Sequence, residues 1–135
     1  MIKVFVTKQS NYPVGATVIK KRLAVFLLKQ GIVSTAEVSV AIVGEAKMMD
    51  FGNKYLKDHK LHNVLSFTPT ETSALNGTKI NFVYPPDGII HLGEIVVCYP
   101  LAVKESEEEG ILIDERVCEL VEHGALHLLG IHHKE

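Results

Sequence analysis

The sequence predicts an α/β (α+β) fold: one domain over residues 1–135, a mixed four-stranded sheet packed with helices. Three observations predict it. Short β-branched segments that alternate apolar and polar residues give way to segments whose apolar residues recur every three to four positions. Helix-patterned stretches connect the first strands, the connection that parallel pairing needs. The chain has 135 residues, 47% of them apolar, enough to bury one core.

Residues 2–7 (IKVFVT) read as a strand by alternation and β-branching. After Pro13, residues 15–30 carry Val18, Ile19, Leu23, Phe26 and Leu27 as a helical stripe, with Lys20, Lys21, Arg22 and Lys29 largely off it, and Gly31 as the stop. Residues 36–43 (AEVSVAIV) give a second strand. Residues 45–57 give a helix with Met48, Met49 and Tyr55 inward, and 63–67 (NVLSF) a third strand. From Thr68 to Ile90, Pro69, Asn76-Gly77, Pro85-Pro86 and Asp87-Gly88 break every period and predict a long loop, of the kind that often carries function. Residues 91–98 (HLGEIVVC) form the fourth strand. A solvated helix follows from Pro100 to Gly110, its acidic run facing water. Asp114 is positioned to cap a last helix that ends near Leu129.

Composition narrows the function classes. A net charge of −2 creates no global basic field, so binding to nucleic acid has to rest on a local patch. No apolar run approaches the ~20 residues of a membrane span, and the N-terminus lacks the apolar core of a secretion signal. Cys98 and Cys118, distant in sequence and outside any CxxC pair, read as reduced core thiols. A soluble cytoplasmic protein is expected.

The chemistry concentrates at the end of the chain, in "HGALHLLGIHHKE", which holds His123, His127, His132 and His133 out of seven histidines in all. On a helix, Val117, Leu120, Val121, Gly124 and Leu128 share the core side. His123 and His127 then stack one turn apart at its edge. Gly130 can end the helix in a left-handed turn, from which His133 can return toward His127. Three neutral imidazoles at offsets of zero, four and ten can take three corners of a zinc tetrahedron and leave the fourth to water, as in catalytic zinc sites. An exposed terminal helix is the plain alternative, and the third histidine at its particular offset weighs against it. His132 fits the offset less well than His133.

The same spacing matches the metzincin pattern HExxHxxGxxH, so a metzincin-like zinc helix is expected. The glutamate that serves peptide hydrolysis in that pattern is Gly124 here. Glu122, just before His123, points elsewhere on the helix. A zinc protease or other zinc hydrolase is therefore a distant alternative.

"HGALHLLGIHH" resembles the HGxLHLxGYDH signature of the bacterial YbeY family of rRNA maturation endoribonucleases. "FGNKYLKDHKLHNVLSF" resembles that family's LNxxYRxKDxPTDVLSF block, and "LGEIVVC" its LGDIVIS strand. The three blocks keep the family's order over roughly the C-terminal two thirds of the chain. The resemblance implies a zinc-dependent, single-strand-specific endoribonuclease acting in 16S rRNA 3′-end maturation and ribosome quality control. By matching position, one Zn²⁺ would be held by His123, His127 and His133, which would act in catalysis through the metal and its water. The implied partners are rRNA and the small ribosomal subunit or its assembly factors; no DNA or membrane partner is implied.

The chain departs from the family pattern at four places. Leu56 stands where the family has an arginine, His62-Asn63 replace Thr-Asp, Ile131-His132 replace Tyr-Asp, and Glu94 replaces the LGD aspartate. Leucine offers a phosphate neither charge nor donors. Lys54, Lys57, His59, Lys60 and His62 form a basic cluster nearby, from which Lys57, Lys60 and His62 are candidate substrate-binding residues. His91 reads as structural, and Ser66 and Phe67 as sheet and core. Tyr84 and Tyr99 read as packing residues before base-stacking ones. The losses at Leu56 and Asn63 keep open a second class of function: a zinc-stabilised RNA-binding assembly factor that cleaves weakly or not at all.

Overall fold

The structure is a computed structural model and describes residues 1–75 and 88–130, the side chains of 73–75 excepted. The elements run β1 (Ile2–Lys8), α1 (Ala16–Lys29), β2 (Ala36–Val43), α2 (Glu45–Phe51), a π-helical turn (Gly52–Leu56), β3 (Val64–Phe67), α3 (Pro69–Leu75), β4 (Ile90–Cys98), α4 (Tyr99–Glu109) and α5 (Ile113–Leu128). The strands form one mixed sheet in the order β1-β2-β4-β3. β1 pairs with β2 in parallel from Ile2↔Ala36, β2 pairs with β4 in parallel, and β3 closes the far edge antiparallel to β4 from Val64↔Val97.

Two cores lie on the two faces of this sheet. On one, Val38, Val40, Ile42 and Ile95 meet Ile19, Leu23 and Leu27 of α1 and Val117, Leu120 and Val121 of α5. On the other, Met48 of α2 packs with Leu65, Phe67, Val96 and Cys98. Each such aliphatic side chain contributes about 1.5–3 kcal/mol by leaving water. β2 carries the load on the first face because alternate residues, Ala36, Val38, Val40 and Ile42, point the same way and are buried.

Gly31, with φ of 97°, ends α1, and its N–H and that of Ile32 donate to the carbonyls of Leu28 and Leu27. Val18, assigned to the inner stripe from sequence, is 48% exposed; it lies one residue before buried Ile19, on the water side. Cys98 and Cys118 are both buried free thiols, and burial pushes Cys118 up to about 11. Among the described residues, no helix is long and apolar enough to cross a membrane.

Three expectations require correction. The stretch after Phe67 is not loop throughout, because α3 occupies Pro69–Leu75. Asp114 does not cap α5: the cap position is Leu112, and the Asp114 carboxylate accepts the N–H of Gly15 at 3.2 Å, tying the start of α1 to α5. The helix expected over 45–57 changes character at Gly52, where the coil widens. The Lys57 N–H there donates to the Gly52 carbonyl, five residues back, at 2.8 Å.

Candidate metal and substrate cleft

A cleft of about 260 Å³ opens at the β3 edge of the sheet, where α5 crosses it. His123, Gly124 and His127 form one wall, Val64–Phe67 of β3 the floor, and Leu56 and Glu71 the remaining sides. Each wall has a local cause.

The α5 wall is set by Gly124. A Cβ built there would sit 2.8 Å from Cγ2 of Ile95, so a side chain would force Ile95 to shift, and the glycine lets the helix lie directly on β4. His123, beside it, and His127, one turn later, are left on the exposed side of α5, both lining the same cleft. Glu122 turns the other way: its carboxylate accepts from Arg22 Nε at 3.0 Å, which fixes it against α1. Gly130 ends α5 with φ of 76°, the left-handed turn expected of it.

The floor depends on Gly93. Its φ is 134°, and a Cβ there would lie 2.2 Å from the Phe67 carbonyl oxygen, so the glycine of "LGE" lets β4 run close to β3. The π-helical turn supplies the third side. Its extra residue lets Tyr55 pack on Phe67, with ring centroids 4.6 Å apart, and leaves Leu56 at the cleft, 48% exposed.

The fourth side is the one that sequence reasoning overlooks. Thr68 and Glu71 form a reciprocal cap on α3: the Thr68 N–H donates to Glu71 Oε1 at 2.9 Å, and the Glu71 N–H donates to Thr68 Oγ1 at 3.2 Å. The same Oε1 lies 3.4 Å from His127 Nε2. Burial opposes ionisation of Glu71, but the Thr68 bonds and His127 outweigh it and hold the carboxyl below its ordinary value. The signal is present in the sequence as "TPTE", a threonine cap followed by proline at the first helical position and glutamate at the third. It is masked there by the Pro and Gly residues that follow.

The substrate-binding candidates lie apart from this wall. Lys57, Lys60 and His62 are not among the residues lining the cleft. His62 Nε2 is 2.7 Å from Asp58 Oδ2, and its ring sits over Gly52, so it is engaged in holding the loop after the π-helical turn. Lys57 and His59 both take left-handed backbone, each with φ of 54°, in that loop. Asn63 donates to Glu105 at 3.1 Å, and His91 pairs with Glu37 at 3.3 Å. In the groove adjoining His123, Arg116 is engaged by Glu105 and Glu119. Tyr99 stacks on Tyr12 with ring centroids 4.5 Å apart. Among the described residues lining the cleft there is no lysine or arginine.

The donor chemistry of the α5 wall fits a zinc ion: two imidazoles one helical turn apart, on one cleft, beside a glycine that leaves space. His133, His132 and Tyr84 lie outside the described residues. Among the described ones, no three His, Cys, Asp or Glu side chains gather into a set able to hold a metal. A complete site therefore requires a donor from outside the described residues, for which the sequence offers His133.

Comparison with known proteins agrees with this architecture. The family model described as Endoribonuclease YbeY matches residues 6–135. Proteins named Endoribonuclease YbeY from two strains of Dehalococcoides mccartyi are each 32% identical to this chain. One match spans 99% of this chain and 84% of the relative, the other 90% and 74%. The solution structure of TM1509 from Thermotoga maritima shares the fold with a TM-score of 0.57, at 19% identity, over 97% of this chain and 75% of that one.

Proposed function

Because the chain belongs to the YbeY endoribonuclease family, we propose that it is a zinc-dependent endoribonuclease that cuts single-stranded RNA, with rRNA of the small ribosomal subunit as its substrate. The observation that carries this reading is the pair His123 and His127 on one cleft wall, with Gly124 between them seated on Ile95. His133 is the third ligand by its offset in the sequence. A bound Zn²⁺ would supply a Lewis acid for the phosphodiester and a water of lowered pKa.

The chain's own residues do the rest. Among the described residues Val64–Phe67 form an edge strand of the sheet, along which an unpaired RNA strand can lie. Leu56 gives the cleft an apolar side where charge would otherwise meet a phosphate. Contacts to phosphate then fall to lysines outside the cleft lining, Lys54, Lys57 and Lys60, which act as point charges and not as a bidentate fork. Partnership with the small subunit or its assembly factors, and action in 16S rRNA 3′-end maturation, complete the proposal.

Incubation of the purified chain with a single-stranded RNA of rRNA 3′-end sequence, with and without chelator, tests it. Cleavage that is lost with chelator, restored by zinc and abolished in His127→Ala is expected. Equal cleavage by wild type and His127→Ala would reject the reading. Leu56 favours a second one, a zinc-stabilised RNA-binding assembly factor, which predicts zinc-dependent RNA retention without shortening of the RNA.

A further inference from the structure

We propose that Glu71 is the carboxylate partner of the metal site, a positioning residue whose negative charge stabilises the divalent cation beside His127. This deepens the zinc reading above and rests on it. In sites of the HExxH type the acid comes from the helix that carries the histidines. Here α5 does not supply it at the corresponding position, which is Gly124, seated closely on Ile95. The opposite wall supplies one instead.

The geometry is specific. Glu71 Oε1 is anchored by the Thr68 N–H at 2.9 Å and points with that same oxygen at His127 Nε2, 3.4 Å away. A carboxylate fixed at its root and aimed into a cleft is preorganised to meet positive charge. As a half-exposed ion pair alone, Glu71–His127 would contribute little. A doubly charged ion held by uncharged imidazoles changes this, since Glu71 is the acidic residue on the described walls of the cleft. Here the carboxylate would act on the ion by its charge, and groups just outside a metal's ligands typically change metal affinity by about 10–100-fold.

Zinc titration of the full, untagged chain against a competing chromophoric chelator tests the proposal, using Glu71→Gln, Thr68→Ala and His127→Ala variants. Glutamine at this position preserves the reciprocal cap and removes only the charge. Thr68→Ala weakens the cap and keeps the charge. Melting of the zinc-free proteins shows that each variant folds. The expected result is zinc affinity weaker by about 10–100-fold in Glu71→Gln and near wild type in Thr68→Ala. Wild-type affinity in Glu71→Gln overturns the proposal, as does an equal loss in Thr68→Ala, which would make Glu71 a cap alone. If His127→Ala loses zinc while Glu71→Gln keeps it, the Glu71 role fails and the metal reading stands. If the wild-type chain itself takes up no zinc, both fail together.

Discussion

Gly124 shows how one missing side chain arranges a site. Alanine is the better helix former by about 1 kcal/mol, so Gly124→Ala would stabilise an unencumbered helix. The contact with Ile95 Cγ2 at 2.8 Å reverses the sign. Gly124→Ala is expected to lower the free energy of unfolding by about 1–3 kcal/mol in denaturant titration; a stabilised variant would mean that α5 does not lie on β4 at this point. The closeness of this contact is legible in the sequence, since a glycine within an apolar stripe implies contact with another element. The identity of Ile95 as its partner is not, because pairing across the sheet depends on topology. At the same scale, Cys98 and Cys118 are buried and raised by burial, Cys118 to about 11. Both should resist alkylation at pH 8 in the native protein and react once it is denatured. Rapid native labelling of either would contradict their placement.

Among the elements, α3 separates what pattern can and cannot reveal. Hydrophobic period identifies long helices such as α1 and α5, whose stripes repeat over several turns. α3 has seven residues and its start is written in its cap, Thr68-Pro69-Thr70-Glu71, so a reading by period alone takes it for loop. Thr68→Ala should cost about 1 kcal/mol, visible as faster amide exchange in α3 with α1 and α5 unaffected; unchanged exchange would show that the cap does not hold the helix. Asp114 shows the reverse failure. It has the right residue type for a cap, but a backbone N–H from α1 reaches it first. Local propensity yields where a tertiary partner is available.

For the molecule as a whole, the sheet order decides where chemistry can occur. Because β3 is added antiparallel at the edge of a parallel core, it forms one rim of the sheet among the described residues, and α5 crosses that rim with His123 and His127. The histidine pair and its helix are legible in the sequence, since both depend on spacing along one element. The approach of α3 and of the π-helical turn is not, since it depends on how separate elements meet. The described residues lining the cleft include no lysine or arginine, so on the proposed function RNA contacts are expected outside that lining, and loss of Lys57 and Lys60 together should weaken RNA binding and flatten its salt dependence. A double Lys57→Ala, Lys60→Ala variant with an unchanged salt slope would move the RNA elsewhere.

The decisive measurement is the zinc content of untagged protein by elemental analysis, taken for the wild type and for His123→Ala, His127→Ala and His133→Ala. One zinc per chain in the wild type, lost in each variant, is the predicted result. A wild type without zinc, or a His133→Ala variant that keeps its full complement, would contradict a site built from three imidazoles at the end of this chain.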